Sequence, residues 1–420
     1  MKYVLIIGDG MADNPIPELD EKTPLQYAKT PMMDALASAG VLGSVRTVPE
    51  AMTAGSDTAI LSIFGFDPSL FNGGRASLEA AAMGIKLEPG DIVYRCNMIT
   101  LESSTQDNPQ NNPHKNPIAF KEKKIISHSA GAIDGSSADT LITDLFNTPD
   151  FKKAVETAGI SIYPGGSFRH IAVQHSALQE PLSLTPPHDH LGETLGKHLP
   201  QGEERAKTLT ELMRLANEIL ENHPINKKRQ ENRELPANGI WFWANGASGE
   251  LPSFKKRYGK TGSVISAVPL CQGIGVLMGL EKISVKGATG ELNTNYEGKV
   301  EAALKSLETH DFTTIHIEAP DECTHNGDLK GKLQAIEWID SRVLAPLKEA
   351  LDNKKIPHKL MIISDHKTLL STRGHNGEPV PFLIYDSSKD NNTGLKFNET
   401  DAKTGEFLEN GTKLMEMLFQ

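Results

Sequence analysis

The chain has 420 residues, 38% apolar and 23% charged, which is long enough for two soluble globular domains. A formal net charge of −11 argues against nucleic acid as a partner, because a nucleic-acid binder needs a basic face. The cysteines Cys96, Cys271 and Cys323 form no paired motif, and no apolar run approaches the roughly 18 residues of a membrane helix. We therefore expect a cytoplasmic protein without a membrane or nucleic-acid partner.

Short β-branched runs that end in polar residues predict buried parallel strands along the chain. They are KYVLIIGDG at 2–10, FTTIHIEA at 312–319, KLMIISD at 359–365 and PFLIYD at 381–386. Helical patterns occupy 297–308 and 329–352. Strands that alternate with helices predict an α/β fold whose central sheet is mostly parallel and flanked by helices.

The middle of the chain has a different pattern. Elements between residues 86 and 235 are shorter and interrupted by turns, and the Asn- and Pro-rich stretch 101–117 predicts an exposed loop. The α/β pattern resumes at NGIWFWANG, residues 238–246. We interpret residues 86–235 as an inserted, smaller α+β cap domain, and residues 1–85 with 236–420 as the core.

Acidic residues and histidines follow several predicted strands, where open α/β sheets bind their ligands. Each one has a structural explanation when it is taken alone, such as capping a helix. The other eleven histidines, His190 among them, are assigned to the surface or the core. The coincidence of several such residues at one sheet edge favours a site formed by Asp9, Asp321, His325, Asp365, His366 and His375.

Ser56 precedes a predicted helix in TAGSDTAILSIFG, where a serine is an ordinary helix cap. Asp321 and His325 are four residues apart, so a helix starting there projects both to one side. Three aspartates, three histidines and a serine are too many ligands for one ion with an open position. They suit two divalent ions roughly 3.5–4 Å apart, as used in phosphoryl displacement.

The motifs GDGMAD, GSDTAILSIFGFDP, APDECTHNGD, SDH and GHNGEPVPFLIY resemble the motif series of the alkaline phosphatase superfamily. Within it, the chain is similar to the cofactor-independent phosphoglycerate mutases of the archaeal type over nearly its whole length. The resemblance implies an alkaline-phosphatase-like core and interconversion of 3- and 2-phosphoglycerate through a phosphoserine. It also implies that 2,3-bisphosphoglycerate is not required.

The resemblance further implies a role for each site residue. One metal ion would be held by Asp9, Ser56, Asp365 and His366, and a second by Asp321, His325 and His375, with Ser56 as the nucleophile. Imidazole ligands favour Mn²⁺, with Zn²⁺, Co²⁺ or Mg²⁺ as alternatives. The inserted domain would exclude water from the phosphoserine.

A small phosphorylated anion is the expected substrate. Its candidate contacts in stretches that match the family are Arg169, His188, Lys228, Arg229 and Lys299. A further candidate is His128, in the stretch IISHSAGAID where the sequence departs from the family pattern. A branch of the same family proposed as homoserine kinases in threonine biosynthesis is the alternative, with a small-molecule phosphatase or a non-catalytic scaffold as further readings.

Overall fold

A computed structural model describes residues 1–103, 118–177 and 180–420. Residues 104–117 of the predicted exposed loop lie outside this range. The chain divides into two compact units: unit 1 comprises Met1–Phe71 and Glu250–Gln420, and unit 2 comprises Asn72–Gly249. None of the described helices combines the length and the apolar character that a membrane span requires.

The strands and helices are numbered in chain order. The strands are β1 Lys2–Gly8, β2 Val41–Val45, β3 Ile92–Leu101, β4 Ile125–Ser127, β5 Ile160–Tyr163, β6 Arg169–Gln174, β7 Leu182–Ser183, β8 Gln201–Gly202, β9 Gly239–Ala247, β10 Gly262–Ile265, β11 Glu281–Ile283, β12 Phe312–Ile317, β13 His358–Ile363, β14 Lys367–Leu369, β15 Gly374–Asn376, β16 Val380–Asp386 and β17 Glu406–Leu408. The α-helices are α1 Pro24–Tyr27, α2 Pro31–Ala39, α3 Ser56–Ile63, α4 Gly74–Ala82, α5 Gly135–Asn147, α6 Pro149–Ala158, α7 Glu204–Leu220, α8 Pro224–Glu231, α9 Phe254–Tyr258, α10 Pro269–Leu277, α11 Tyr296–Thr309, α12 Ala319–His325, α13 Leu329–Trp338, α14 Ala345–Asn353, α15 Glu399–Ala402 and α16 Leu414–Phe419.

The main sheet of unit 1 has the strand order β11-β10-β12-β1-β13-β16-β2-β17. Strands β11, β10, β12, β1 and β13 are parallel, and β16 is antiparallel to both of its neighbours. Tyr3 of β1 pairs with Phe312 on one side and Lys359 on the other. Val4, Leu5, Ile6 and Ile7 are fully buried, as expected of a central strand covered on both faces. The predicted α/β fold with a mostly parallel sheet is confirmed.

The helix predicted at 329–352 is interrupted in the structure. α13 ends at Trp338, a π-helical segment spans Ile339–Leu344, and α14 follows. Pro346 has no N–H to donate to the preceding turn, which accounts for the irregular hydrogen bonding before it. The buried carboxylate of Asp340 accepts the backbone N–H of Met33 at 2.6 Å and so anchors the segment to α2.

Unit 2 is built on an antiparallel sheet in which β3 pairs with β4, β6 and β9, and β6 pairs with β5. Its core cluster combines residues of that sheet with residues of α5, α6 and α7. Both β9 and α4 belong to this unit, whereas the sequence pattern assigned residues 72–85 and 236–249 to the core. The buried aromatic run of β9 is typical of a parallel core strand, but here its partner is the antiparallel β3. The functional roles given to the core and to the inserted cap domain stay predictions.

Candidate active site

The three predicted aspartates follow neighbouring strands of unit 1 and lie at one edge of its main sheet. Asp9 directly follows β1, Asp365 follows β13, and Asp321 lies on α12, which begins just after β12. Because β12, β1 and β13 are adjacent and parallel, their carboxyl ends lie at the same edge. The structure therefore brings the three aspartates together as the sequence predicts.

Ser56 is the first residue of α3, and Gly55 occupies the cap position without a side-chain hydrogen bond. Gly55 rather than Ser56 is therefore the cap residue, and the Ser56 hydroxyl is turned toward another partner. Its Oγ lies 3.2 Å from Nε2 of His366, and the side chain is buried. The start of the helix thus holds the hydroxyl against the imidazole.

The first predicted ligand group is buried. His366 Nε2 lies 3.6 Å from Asp9 Oδ1 and 3.3 Å from Asp365 Oδ2. Within the described residues, neither of these two carboxylate oxygens has a hydrogen-bond partner. An unpartnered buried carboxylate oxygen is costly, so their convergence fits a cation held between them.

The second predicted ligand group surrounds Asp321. Its Oδ2 lies 3.0 Å from His325 Nε2 in the predicted spacing of one helical turn, and its Oδ1 lies 3.4 Å from His375 Nε2. The two imidazole nitrogens are 3.0 Å apart. The rings of His366 and His375 have centroids 4.1 Å apart, so the two groups adjoin. All seven predicted residues form one connected cluster.

The electrostatics of the cluster favour positive charge. Burial, followed by the neighbouring carboxylates of Asp365 and Glu318, raises the pKa of Asp9 well above its ordinary value. Burial also raises the pKa of Glu318 to about 7. Burial opposes ionisation of Asp321 too, but hydrogen bonds from His325 and His375 lower its pKa well below the usual range. Cations bound among these groups would relieve the repulsion between their carboxylates.

Hydrogen bonds behind the cluster orient the imidazoles. The Thr368 hydroxyl donates to Asp321 Oδ1 at 2.5 Å and lies 3.1 Å from Nδ1 of His366. Since the hydroxyl has one proton, His366 must donate through Nδ1 and keep a lone pair on Nε2. His325 donates through Nδ1 to the carbonyl oxygen of Arg373 at 2.8 Å, which leaves its Nε2 facing Asp321. Metal-binding histidines are held in this way, so the donor set fits divalent ions.

The sequence interpretation missed His316, Glu318 and Thr368. His316 Nε2 lies 2.9 Å from Asp9 Oδ2, and its Nδ1 lies 3.0 Å from the Ser266 hydroxyl. Burial lowers the pKa of His316 to about 3, which favours the neutral ring beside Asp9. A histidine inside the apolar run TIHI was the available signal, since a polar residue in a buried strand needs a partner.

Three predicted substrate contacts lie around one aromatic residue in unit 2. The ring of His188 is 5.3 Å from Trp243 and 5.9 Å from His128, and the guanidinium of Arg169 lies 5.8 Å from the Trp243 ring. Burial and then the positive charge of Arg95 lower the pKa of Arg169. Its buried Nε has no hydrogen-bond partner in the part of the chain that the structure describes, which leaves a donor for an anion.

The other predicted contacts are placed differently. Lys228 is exposed on α8, while the guanidinium of Arg229 donates to the carbonyl oxygens of Leu235 and Ala130. Lys299 is buried in unit 1 and donates to the carbonyl oxygen of His316 at 2.9 Å. These bonds give Arg229 and Lys299 a structural role that the sequence did not indicate.

Comparison with known proteins relates the chain to one family. A family model described as 2,3-bisphosphoglycerate-independent phosphoglycerate mutase matches residues 37–226. A protein of that name from Methanosarcina mazei is 42% identical over 406 residues, which covers 96% of each chain. A Geobacter sulfurreducens protein described as a probable enzyme of the same name is 41% identical, covering 100% of this chain and 99% of the relative.

Solved structures show the same fold. A protein from Pyrococcus horikoshii matches with a TM-score of 0.79 and 28% identity, covering 99% of this chain and 96% of the other. A cofactor-independent phosphoglycerate mutase from Thermoplasma acidophilum matches in fold, with a TM-score of 0.65, 24% identity and coverage of 100% and 99%. On the strength of its full-length relatives, the chain belongs to the family of 2,3-bisphosphoglycerate-independent phosphoglycerate mutases.

Proposed function

We propose that the protein interconverts 3-phosphoglycerate and 2-phosphoglycerate through a phosphoserine at Ser56, without 2,3-bisphosphoglycerate. The observation that carries the proposal is the buried hydroxyl of Ser56 beside His366, within a cluster of three aspartates and three histidines. Phosphoryl transfer requires chiefly a positioned nucleophile and neutralised charge, and this cluster suits both. The full-length relatives named as mutases support the same reaction.

The donor set would hold two divalent cations, and we propose Mn²⁺ because imidazole and carboxylate ligands are mixed. One ion would be bound by Asp9, Ser56, Asp365 and His366, and the other by Asp321, His325 and His375. When bound, such ions neutralise phosphate charge and lower the pKa of the serine hydroxyl.

The chain's own residues perform two transfers in opposite directions. Ser56 Oγ attacks phosphorus, loses its proton, and the ester bond to the glycerate oxygen breaks as that oxygen gains a proton. The other glycerate hydroxyl then attacks the phosphoserine, the bond to Ser56 breaks, and the serine proton is restored. Throughout both transfers, Thr368 keeps the proton of His366 on Nδ1, so that the lone pair of Nε2 faces Ser56.

Unit 2 would supply the contacts to the substrate anion. Arg169 is the strongest candidate because its buried Nε lacks a partner within the described residues. His128 and His188 lie beside the same tryptophan and would add polar contacts. Three unpaired, buried cysteines suit a reducing cytoplasm as the site of action.

The test compares two reactions. Mn²⁺-loaded protein is given 3-phosphoglycerate with an enolase-coupled readout, and in parallel homoserine with ATP. We expect turnover of 3-phosphoglycerate in the absence of 2,3-bisphosphoglycerate. Phosphorylation of homoserine without mutase turnover would show that the transfer chemistry is right and the substrate wrong.

A matched pair of variants tests the nucleophile. Ser56→Ala should abolish turnover and phosphoprotein formation, because the variant lacks the attacking oxygen. Ser62→Ala on the same helix is the control and should retain both. Mutase activity in Ser56→Ala at the level of the control would refute the phosphoserine route.

A further inference from the structure

Unit 2 contains another group of side chains that could bind a metal ion, distinct from the predicted ligands in unit 1. His190, Glu193 and His198 each offer a ligand atom, and these atoms lie within 4.8 Å of one another. The two imidazole rings stack with centroids 3.7 Å apart and an interplanar angle of 16°. His198 Nε2 lies 2.9 Å from Glu193 Oε2, and His190 Nδ1 lies 3.6 Å from Glu193 Oε1.

The backbone that carries these side chains is held in place by hydrogen bonds within unit 2. Ile125 donates to the carbonyl oxygen of Glu193 at 3.1 Å, and Gly192 donates to that of Ile125 at 2.7 Å. The Thr185 hydroxyl donates to the carbonyl oxygen of His198 at 3.0 Å. The cluster is therefore positioned by the fold of the segment.

The side chains of the cluster combine the donor types that a metal site uses. The lone pair of a neutral imidazole is the commonest metal ligand in proteins. The lone pairs of the two stacked rings lie in nearly parallel planes, so the rings would turn out of the stack when both bind one cation. Two imidazoles and one carboxylate are a known ligand set for Zn²⁺ with an open fourth position. The half-exposed carboxylate of Glu193 leaves a path for an ion to enter.

We propose that His190, Glu193 and His198 bind a Zn²⁺ ion. The ion would join the two short 3-10 helices Pro187–His190 and Leu195–Lys197. It would thereby stiffen the turn that carries His188, which lies against Trp243. The proposed zinc ligands differ from the phosphoryl-transfer residues, so this proposal and the proposed function can be tested independently.

The first test measures bound zinc in the full chain by equilibrium dialysis and atomic absorption. We expect the wild type to bind one more Zn²⁺ per chain than the double variant Glu193→Gln/His198→Gln. The control is His175→Gln, which removes an exposed histidine paired with Asp91, and it should bind as much zinc as the wild type. Equal zinc content in the wild type and the double variant at every free concentration would overturn the proposal.

The single variant Glu193→Gln guards against misfolding, because this side chain is half-exposed. It should weaken zinc binding at this site by about tenfold or more, since even the outer partners of metal ligands are worth about 10–100-fold. Histidine modification by diethyl pyrocarbonate, read by peptide mass, then locates the ion. Zn²⁺ should slow modification of His190 and His198 and leave His175 unchanged; protection confined to His325, His366 and His375 would contradict the proposal.

Discussion

Replacing Thr368 by valine is a stringent test of how the candidate site is held together. The side chain is fully buried, and its hydroxyl joins the two predicted ligand groups by contacting both Asp321 and His366. Valine keeps the shape of threonine and removes these two polar contacts. Both ligands then lose the partner that orients them, while the rest of the cluster is unchanged.

The expected size of the effect of Thr368→Val on metal activation follows from those contacts. Loss of an outer partner of a metal ligand costs about 10–100-fold in metal affinity or activity. At about 1.4 kcal/mol for each factor of ten, this corresponds to about 1.4–2.8 kcal/mol. We therefore expect Thr368→Val to raise the Mn²⁺ concentration needed for half-maximal mutase activity by about 10–100-fold.

Two controls make the measurement specific. Thr368→Ser retains the hydroxyl and should remain close to the wild type. Thr314→Val makes the same chemical change at a buried threonine of β12 whose hydroxyl has no partner among the described residues, and it should leave Mn²⁺ activation unchanged. An unaltered Mn²⁺ requirement in Thr368→Val, or an equal loss in Thr314→Val, would refute the reasoning.

Three further predictions concern stability, substrate binding and metal removal. Lys332→Met leaves Asp13 buried without the cation that lies 2.8 Å from its Oδ2, so the free energy of unfolding in urea should fall by about 3–5 kcal/mol. A loss below about 1 kcal/mol would contradict this. Arg169→Met should raise the KM for 3-phosphoglycerate by about tenfold or more, given about 1.5–3 kcal/mol for a charged hydrogen bond. The control Arg214→Met, at a partly exposed arginine that pairs with Glu211 and Glu218, should leave the KM unchanged. Chelation with EDTA should abolish mutase activity and lower the Tm, and added Mn²⁺ should restore both. The Tm responds because an ion at about 100 times its Kd adds about 2.7 kcal/mol to stability. A Tm unchanged by EDTA would count against the two-ion site.

The strands of the central sheet and the aspartates that follow them could be predicted from local patterns. Apolar runs ending in polar residues identify β1, β12 and β13, and the parallel arrangement then brings Asp9, Asp321 and Asp365 to one edge. The spacing of Asp321 and His325 likewise determines their shared face once α12 forms. These inferences need no knowledge of distant side chains.

The hydrogen-bond partners behind the site could not be obtained in this way. Thr368 meets Asp321 across 47 residues of sequence, and His316 meets Asp9 across 307. The position of His316 in the apolar run TIHI indicates that it needs a partner, but nothing local indicates which residue that partner is. The identity of each partner depends on tertiary structure. The assignment of β9 differs for a related reason: its buried run has the same pattern whether its neighbour is parallel or antiparallel.

The register of β1 has a consequence for how the protein is made. This strand is synthesised before both of its neighbours in the sheet, which follow more than three hundred residues later, as the pairing of Tyr3 with Phe312 and Lys359 shows. At about 5–20 residues per second, its edges stay unpaired for roughly 15–60 s of synthesis. Unit 2 can complete its own antiparallel sheet in that interval, because its strands lie between β1 and β12 in the sequence. The predicted metal site is consequently completed only after unit 2 has been synthesised, and a chain that stops before His375 lacks one of its predicted ligands.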